Sequence, residues 1–165
     1  MKKSKIIYIL LILLSTCFLT SCKVKEIEDS SKFIDLVYSW SSGKLEKLIY
    51  LFFPSKKLLI DLRELKNNAT IDDYDSGHIS GALSYDYGNL NKEKFTTWIT
   101  GLYSKKATIL LIDSGHEEYK VISEYLKEVG YKKIIAYTLG YQELKKAKEF
   151  NQKLVESTGV EDCGC

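Results

Sequence analysis

Apolar and polar positions along this chain fall into blocks of two periodicities. Phe33, Leu36, Val37 and Trp40 recur at three- and four-residue spacing, which predicts an amphipathic helix broken by Ser41-Ser42-Gly43. Leu45, Leu48, Ile49 and Phe52 predict a second helix, ended by Pro54. Leu58-Leu59-Ile60-Asp61-Leu62 is a short apolar run of the kind a buried strand shows, and Thr108 to Ile112 and Lys133 to Tyr137 give two more. Between the strands, Phe95 to Leu102 reads as a helix, and Val121, Ile122, Tyr125, Leu126 and Val129 form a helical stripe closed by Gly130. Thr138-Leu139-Gly140 turns into a last predicted helix, from Tyr141 to about Glu156. Short apolar strands alternating with helices predict an α/β fold, a mostly parallel sheet covered on both faces.

The first 22 residues follow a different pattern. Met1-Lys2-Lys3-Ser4-Lys5 is basic, Ile6 to Leu14 is an unbroken apolar run, and small and polar residues follow. This is the layout of a secretory signal, and the run is too short for a comfortable membrane span of about 20 residues. Leu19-Thr20-Ser21-Cys22 resembles the bacterial lipobox, a site cleaved before an invariant cysteine. The resemblance implies that Cys22 becomes the lipidated first residue of the mature chain, with membrane lipid as its partner. It also implies an extracytoplasmic position on the cell membrane or outer membrane; an uncleaved anchor helix is the alternative. The expected organisation is a signal over 1–21, a polar tether over 22–32, a helical segment over 33–55, the α/β domain over 56–150 and a tail over 151–165.

Composition changes this picture in two places. Hydrophobic residues at 45% and charged residues at 28%, with one proline and ten glycines, exclude a disordered or collagen-like chain. The net charge of +2 belongs to the signal: without Lys2, Lys3 and Lys5, basic residues fall from 24 to 21 against 22 acidic ones. No basic stripe remains to argue for nucleic acid. Of four cysteines, Cys17 lies in the signal, Cys22 is the lipid site, and Cys163 and Cys165 end the chain, so no disulfide can cross the core.

Three segments carry the chemical information. Leu58 to Glu64 contains Asp61 and Arg63; Tyr74-Asp75-Ser76-Gly77-His78-Ile79-Ser80-Gly81-Ala82 follows; Ile109 to Gly115 ends in Asp113-Ser114-Gly115. Gly130-Tyr131 and Leu139-Gly140-Tyr141 complete the order. From about residue 56 to 145 the chain resembles the rhodanese family. That family has an Asp-x-Arg strand end, a Gly-His-Ile-x-Gly-Ala turn and a strand leading into a catalytic loop. The resemblance implies a single domain with a mostly parallel five-stranded sheet. Asp61 and Arg63 read as a pair tying neighbouring loops, or as a solvated surface pair. Gly77 and Gly81 bracket a turn that favours positive φ. His78 reads as a turn histidine bonded to backbone, or as a catalytic one. Asp72, Asp73 and Asp75 beside it invite a metal reading, although acidic residues are common there in the family, and no metal or other cofactor is expected.

A rhodanese loop works with a cysteine at its start, whose persulfide is stabilised by inward-pointing backbone N–H groups. Aligned back from Gly130-Tyr131, Asp113 takes the cysteine position, Glu118 falls where a basic residue is common and Tyr119 where Ser or Thr is common. Anchored on the loop glycine, the position moves to Ile112. Neither alignment supplies a thiol. The loop Asp113, Ser114, Gly115, His116, Glu117, Glu118, Tyr119 is acidic, with His116 as its possible cation. Carboxylates there repel thiosulfate or phosphate, so a cation or a basic side chain becomes the expected ligand. Weak metal ligation by Asp113, His116 and Glu117 and an aspartyl nucleophile are the minor alternatives.

The leading expectation is a membrane-anchored lipoprotein whose degenerate, non-catalytic domain binds a protein partner or a small ligand. The rival is a sulfurtransferase or thiol-redox enzyme that uses Cys163 or Cys165 in place of the loop cysteine. Lys145, Lys146 and Lys148 read as a solvated helix face, the tyrosines as core and boundary residues, and the sequon at Asn68 as chance.

Overall fold

The computed structural model describes residues 23–41, 57–65 and 72–159. Cys22, Cys163, Cys165, the signal, the helix predicted over Leu45 to Phe52 and the Asn68 sequon lie outside them. Strand β1 (Lys25–Ile27) leads into helix α1 (Ser30–Ser41). Strands β2 (Lys57–Asp61), β3 (His78–Ile79) and β4 (Leu83–Ser84) follow, then a 3-10 turn (Tyr87–Asn89) and helix α2 (Lys92–Leu102). Strand β5 (Thr108–Ile112), helix α3 (Glu118–Glu128) and strand β6 (Lys133–Tyr137) come next. Helices α4 (Tyr141–Lys145) and α5 (Phe150–Lys153) and strand β7 (Glu156–Ser157) end the described chain.

The main sheet has the order β1-β6-β5-β2-β4, and every pair in it is parallel. The expected five-stranded parallel sheet flanked by helices is therefore the observed one. Its central strands are uniformly apolar because both faces are covered. Leu59, Leu110 and Ile112 pack with Phe33, Ile34, Val37, Leu144 and Phe150 on one side. Leu58, Ile60, Ile109 and Leu111 pack with Phe95, Ile99, Ile122 and Leu126 on the other. Neighbouring residues of one strand thus feed opposite cores, and each fully buried aliphatic side chain contributes roughly 1.5–3 kcal/mol.

Two expectations change. Residues 25–27, read as tether, form the sheet edge against β6, with Lys25 level with Ile135 and Ile27 level with Tyr137. One buried residue, Ile27, leaves no period for a sequence reading to detect. The long helix predicted from Tyr141 to Glu156 is two short ones followed by β7. Between Leu144 and Phe150 only Ala147 is apolar, so the helical stripe lapses; Phe150 instead meets the Tyr141 ring edge-on at 6.0 Å. β7 then pairs antiparallel with β3, His78 opposite Ser157. Among the described residues, no helix is long and apolar enough to cross a membrane.

Candidate functional site

Every strand of the main sheet points the same way, so the loops following β2, β5 and β6 gather at one pole. Arg63, two residues past the end of β2, is their tie. It is buried, and its Nη2 donates to Asp61 Oδ2 at 2.7 Å and to the Gly77 carbonyl at 2.6 Å. Nε bonds Asp61 Oδ1 at 3.0 Å, and Nη1 reaches Asp72 at 3.2 Å. The guanidinium also lies over the Tyr141 ring, 3.7 Å from its centroid. Burial alone lowers the pKa of Arg63, but the Asp61 charge and hydrogen bond outweigh it and hold the group above its ordinary value. The Asp61–Arg63 tie is thus a buried pair, and one that joins three loops.

The turn that follows is organised by stacking. His78 is buried, its ring lies 3.8 Å from that of Tyr74 and nearly parallel to it, and Nδ1 is 3.0 Å from the Tyr74 carbonyl. Tyr74 in turn donates its hydroxyl to the Ala82 carbonyl at 2.8 Å. Gly81 takes φ +80°, as the turn reading expects, whereas Gly77 does not take a positive φ and is instead crowded by the Glu156 side chain, 2.5 Å from where a Cβ would sit. Asp72 also accepts from Gln142 at 3.1 Å, and Asp73 accepts the Ser76 N–H at 2.7 Å, so both carboxylates serve the loop itself.

Asp113 stands where β5 ends, and it is buried. Its Oδ1 accepts the Gly115 N–H at 2.8 Å and its Oδ2 accepts the Tyr119 N–H at 3.1 Å. Tyr119 lies in the first turn of α3, where backbone N–H groups have no helical partner. Glu117, at the cap position, takes a left-handed φ of 68° and makes no side-chain capping bond. The carboxylate of Asp113 therefore fills the electropositive helix end that would otherwise receive an external anion. Burial, helped by the nearby Glu118 charge and opposed by the bonds from Gly115 and Tyr119, pushes the Asp113 carboxyl up to about 7. Burial and the bond to Glu26 Oε1 at 3.0 Å push the Tyr119 hydroxyl up to about 12.

The loop is backed by glycine. Gly140 takes φ +83°, and a Cβ there would lie 2.7 Å from the Gly115 nitrogen and the Ser114 carbonyl. The Tyr141 N–H, next in the chain, donates to the Asp113 carbonyl at 2.9 Å. Over the loop opens a cavity of about 220 Å³ bounded by Glu64, Asp72, Tyr87, Ser114, His116 and Glu118. Its ionisable side chains are acidic apart from Tyr87 and from His116, which is mostly exposed and whose Nδ1 is 3.6 Å from Glu118. A larger groove of about 500 Å³ runs between β1 and α3, but paired lysines and glutamates line it.

The residues singled out in sequence thus gather at one pole: Asp61, Arg63, Gly77 and His78 organise one side of it, and Ser114, His116 and Glu118 of the Asp113 loop line the cavity, with Asp113 buried beneath. Sequence reading missed Glu64 and Tyr87 in the cavity, and Gln142 and Glu156 behind it. Glu156 accepts from the Tyr141 hydroxyl at 2.8 Å and from Lys145 at 2.6 Å. Burial raises its pKa, but the bonds from Lys145 and Tyr141 prevail and hold it below the ordinary value. Lys145, read as part of a solvated face, therefore also holds β7. No local pattern announces these partners, because they meet only through the tertiary fold.

A parallel α/β sheet with its loops tied at one pole by a buried Asp-x-Arg pair defines the class. The rhodanese-like domain family model matches residues 45–147, and the chain belongs to that family. Its fold is similar to that of the Alr3790 protein from Anabaena sp., with a TM-score of 0.50, 16% identity, and coverage of 77% of this chain and 82% of that one. None of the curated proteins matches the chain.

Proposed function

We propose that this is a membrane-tethered lipoprotein whose rhodanese-like domain binds a basic group and does not transfer sulfur. One observation carries the reading: the two backbone N–H groups at the loop and at the start of α3 are taken up by the chain's own Asp113 carboxylate. By the resemblance, the cysteine position falls on Asp113, or on Ile112 when the loop glycine is the anchor, and neither side chain can carry sulfane sulfur. The same amides are what would hold a transferred oxyanion or persulfide. With Glu64 and Glu118 at the cavity, and Asp72 there already neutralised by Arg63, the complementary ligand is a lysine or arginine side chain, or a small amine. Lipidation at Cys22 sets the domain on the outer side of a membrane, a few residues from β1.

A second reading has a specific support. β7 pairs with the Gly77–Ala82 turn, and the Gly159 N–H bonds the Asp75 carbonyl at 2.9 Å, so the described chain ends at the loop pole. Cys163 and Cys165 follow within a contour of about 20 Å, at roughly 3.3–3.6 Å per residue. The full chain, assayed for sulfur transfer from thiosulfate and from a persulfide donor to cyanide or a thiol, separates the two. The expected result is no turnover, both in the parent and in the Cys163→Ser, Cys165→Ser variant. Turnover in the parent that disappears in the variant would assign the nucleophile to the tail and overturn the binding reading.

A further inference from the structure

The opposite pole of the sheet has a different surface. The turn before β5 and the turn before β6 lie side by side, because Thr108 is level with Lys133. Tyr131 locks them together: its hydroxyl lies 3.0 Å from the Ile99 carbonyl and 2.7 Å from the Tyr103 carbonyl. Gly130, at φ +100°, lets the Lys105 side chain lie against the backbone, with its Cδ 3.3 Å from where a Cβ would sit. The result is a shallow basin of about 420 Å³ lined by Lys105, Lys106, Gly130, Lys132 and Lys133. All four lysines are exposed, and among the described residues lining the basin none is acidic. This basic basin lies at the opposite end of the sheet from the acidic cavity.

The chain reaches the domain at the basic pole. β1 is parallel to β6 and pairs Lys25 with Ile135, so stepping back along β1 leads toward the level of Lys133. Lys23, two residues before Lys25, therefore lies toward the same pole as the lysine basin. β5 spans five residues from Thr108 to Ile112, so the Asp113 loop stands at least roughly 13 Å beyond that pole, at about 3.3 Å per residue.

We propose that the lysine basin is a membrane-docking face that binds the headgroups of anionic lipids and holds the acidic cavity pointing away from the bilayer. The inference rests on the anchored reading above for the position of the bilayer. Charge complementarity, the rigid pairing of the two turns and the arrival of the chain at this pole all select the same surface. Each lysine near an anionic bilayer favours the docked orientation by about fivefold, and salt screens the effect.

The test uses the full chain on vesicles of phosphatidylcholine alone and of phosphatidylcholine with phosphatidylglycerol. An amine-reactive reagent labels the lysines, and peptide mass spectrometry reads each position. On the anionic vesicles Lys105, Lys106, Lys132 and Lys133 should label at least about fivefold more slowly than on neutral ones. Lys120 and Lys146, at the loop pole, should label equally on both. The Lys105→Glu, Lys133→Glu variant should lose the protection at Lys106 and Lys132. A chain that floats with neutral vesicles but shows equal labelling on both compositions overturns the docking face and leaves the anchor standing. A chain that floats only with anionic vesicles, with its lysines protected, supports the face and removes the anchor. Protection by inorganic phosphate without vesicles overturns the membrane assignment in favour of a small-anion site.

Discussion

The guanidinium of Arg63 lies 3.7 Å over the ring of Tyr141, so the end of β2 and the start of α4 share one cation–aromatic contact. The same guanidinium holds Asp61 in a fully buried pair. The two partners differ in what their loss should cost. Arg63→Ala leaves an uncompensated buried carboxylate and is expected to destabilise by about 3–5 kcal/mol. Tyr141→Phe keeps the ring under Arg63 and removes only the hydrogen bond to Glu156, at a cost of about 1 kcal/mol. Urea unfolding of both variants measures the difference; equal losses would mean that Arg63 is not the tie.

Asp113 makes stability depend on pH in an unusual direction. In the unfolded chain an aspartate titrates near 3.9, whereas burial here pushes the group up to about 7. Between those values the folded state holds a proton that the unfolded state has lost. The contribution of this site is full below about pH 4 and is lost as pH rises toward 7, by up to about 1.4 kcal/mol per unit. Asp113→Asn, which cannot ionise, should flatten that limb. Unfolding free energies at pH 5 and pH 8 for both proteins decide the matter, and an equal fall in both removes Asp113 as the cause.

Gly140 and Gly115 admit no side chains where they meet. Gly140→Ala places a methyl 2.7 Å from the Ser114 carbonyl and requires an alanine at φ +83°. Residues held in such regions cost about 1–3 kcal/mol from backbone strain alone, and the clash adds to it. Because the neighbouring Tyr141 N–H bonds Asp113, the loop should open as well as weaken. Amide exchange at Gly115 and Tyr119 should rise in this variant more than exchange in β2.

The acidic cavity can be tested with a short peptide carrying lysine or arginine. Glu64→Gln and Glu118→Gln should each weaken its binding, by about fivefold to tenfold if each charge contributes about 1 kcal/mol or slightly more. Affinity should also fall as salt rises, since Glu64 is exposed. Titration calorimetry at two salt concentrations reads both effects, and peptide affinity unchanged by either substitution would remove the cavity as the site.

Strand and helix positions were legible wherever a run of residues supplied a period. Thr108 to Ile112 and Lys133 to Tyr137 are the observed β5 and β6 to the residue, and the Phe33 and Val121 stripes are both helices. Elements of two or three residues were not legible, because β1, β3, β4 and β7 are stabilised by the neighbours they pair with and not by their own pattern. In the site, motif order gave Arg63, His78 and Asp113. It could not give Glu156, which lies far along the chain and meets Tyr141 only once β7 has paired with β3.

The parallel run of β1 against β6 has a mechanical consequence. Under the proposed function, tension between a tether at Lys23 and a ligand held over the Asp113 loop would act along the strands, from one pole of the sheet to the other. The bonds between β1 and β6 are then loaded together in shear, not opened one after another as in a peeled edge. Ile27 is buried at the far end of β1, so sliding the strand out requires its side chain to leave the core at the same moment. A three-residue strand placed this way is a grip against pulling, and the direction in which it is strong is the direction in which a captured partner would pull.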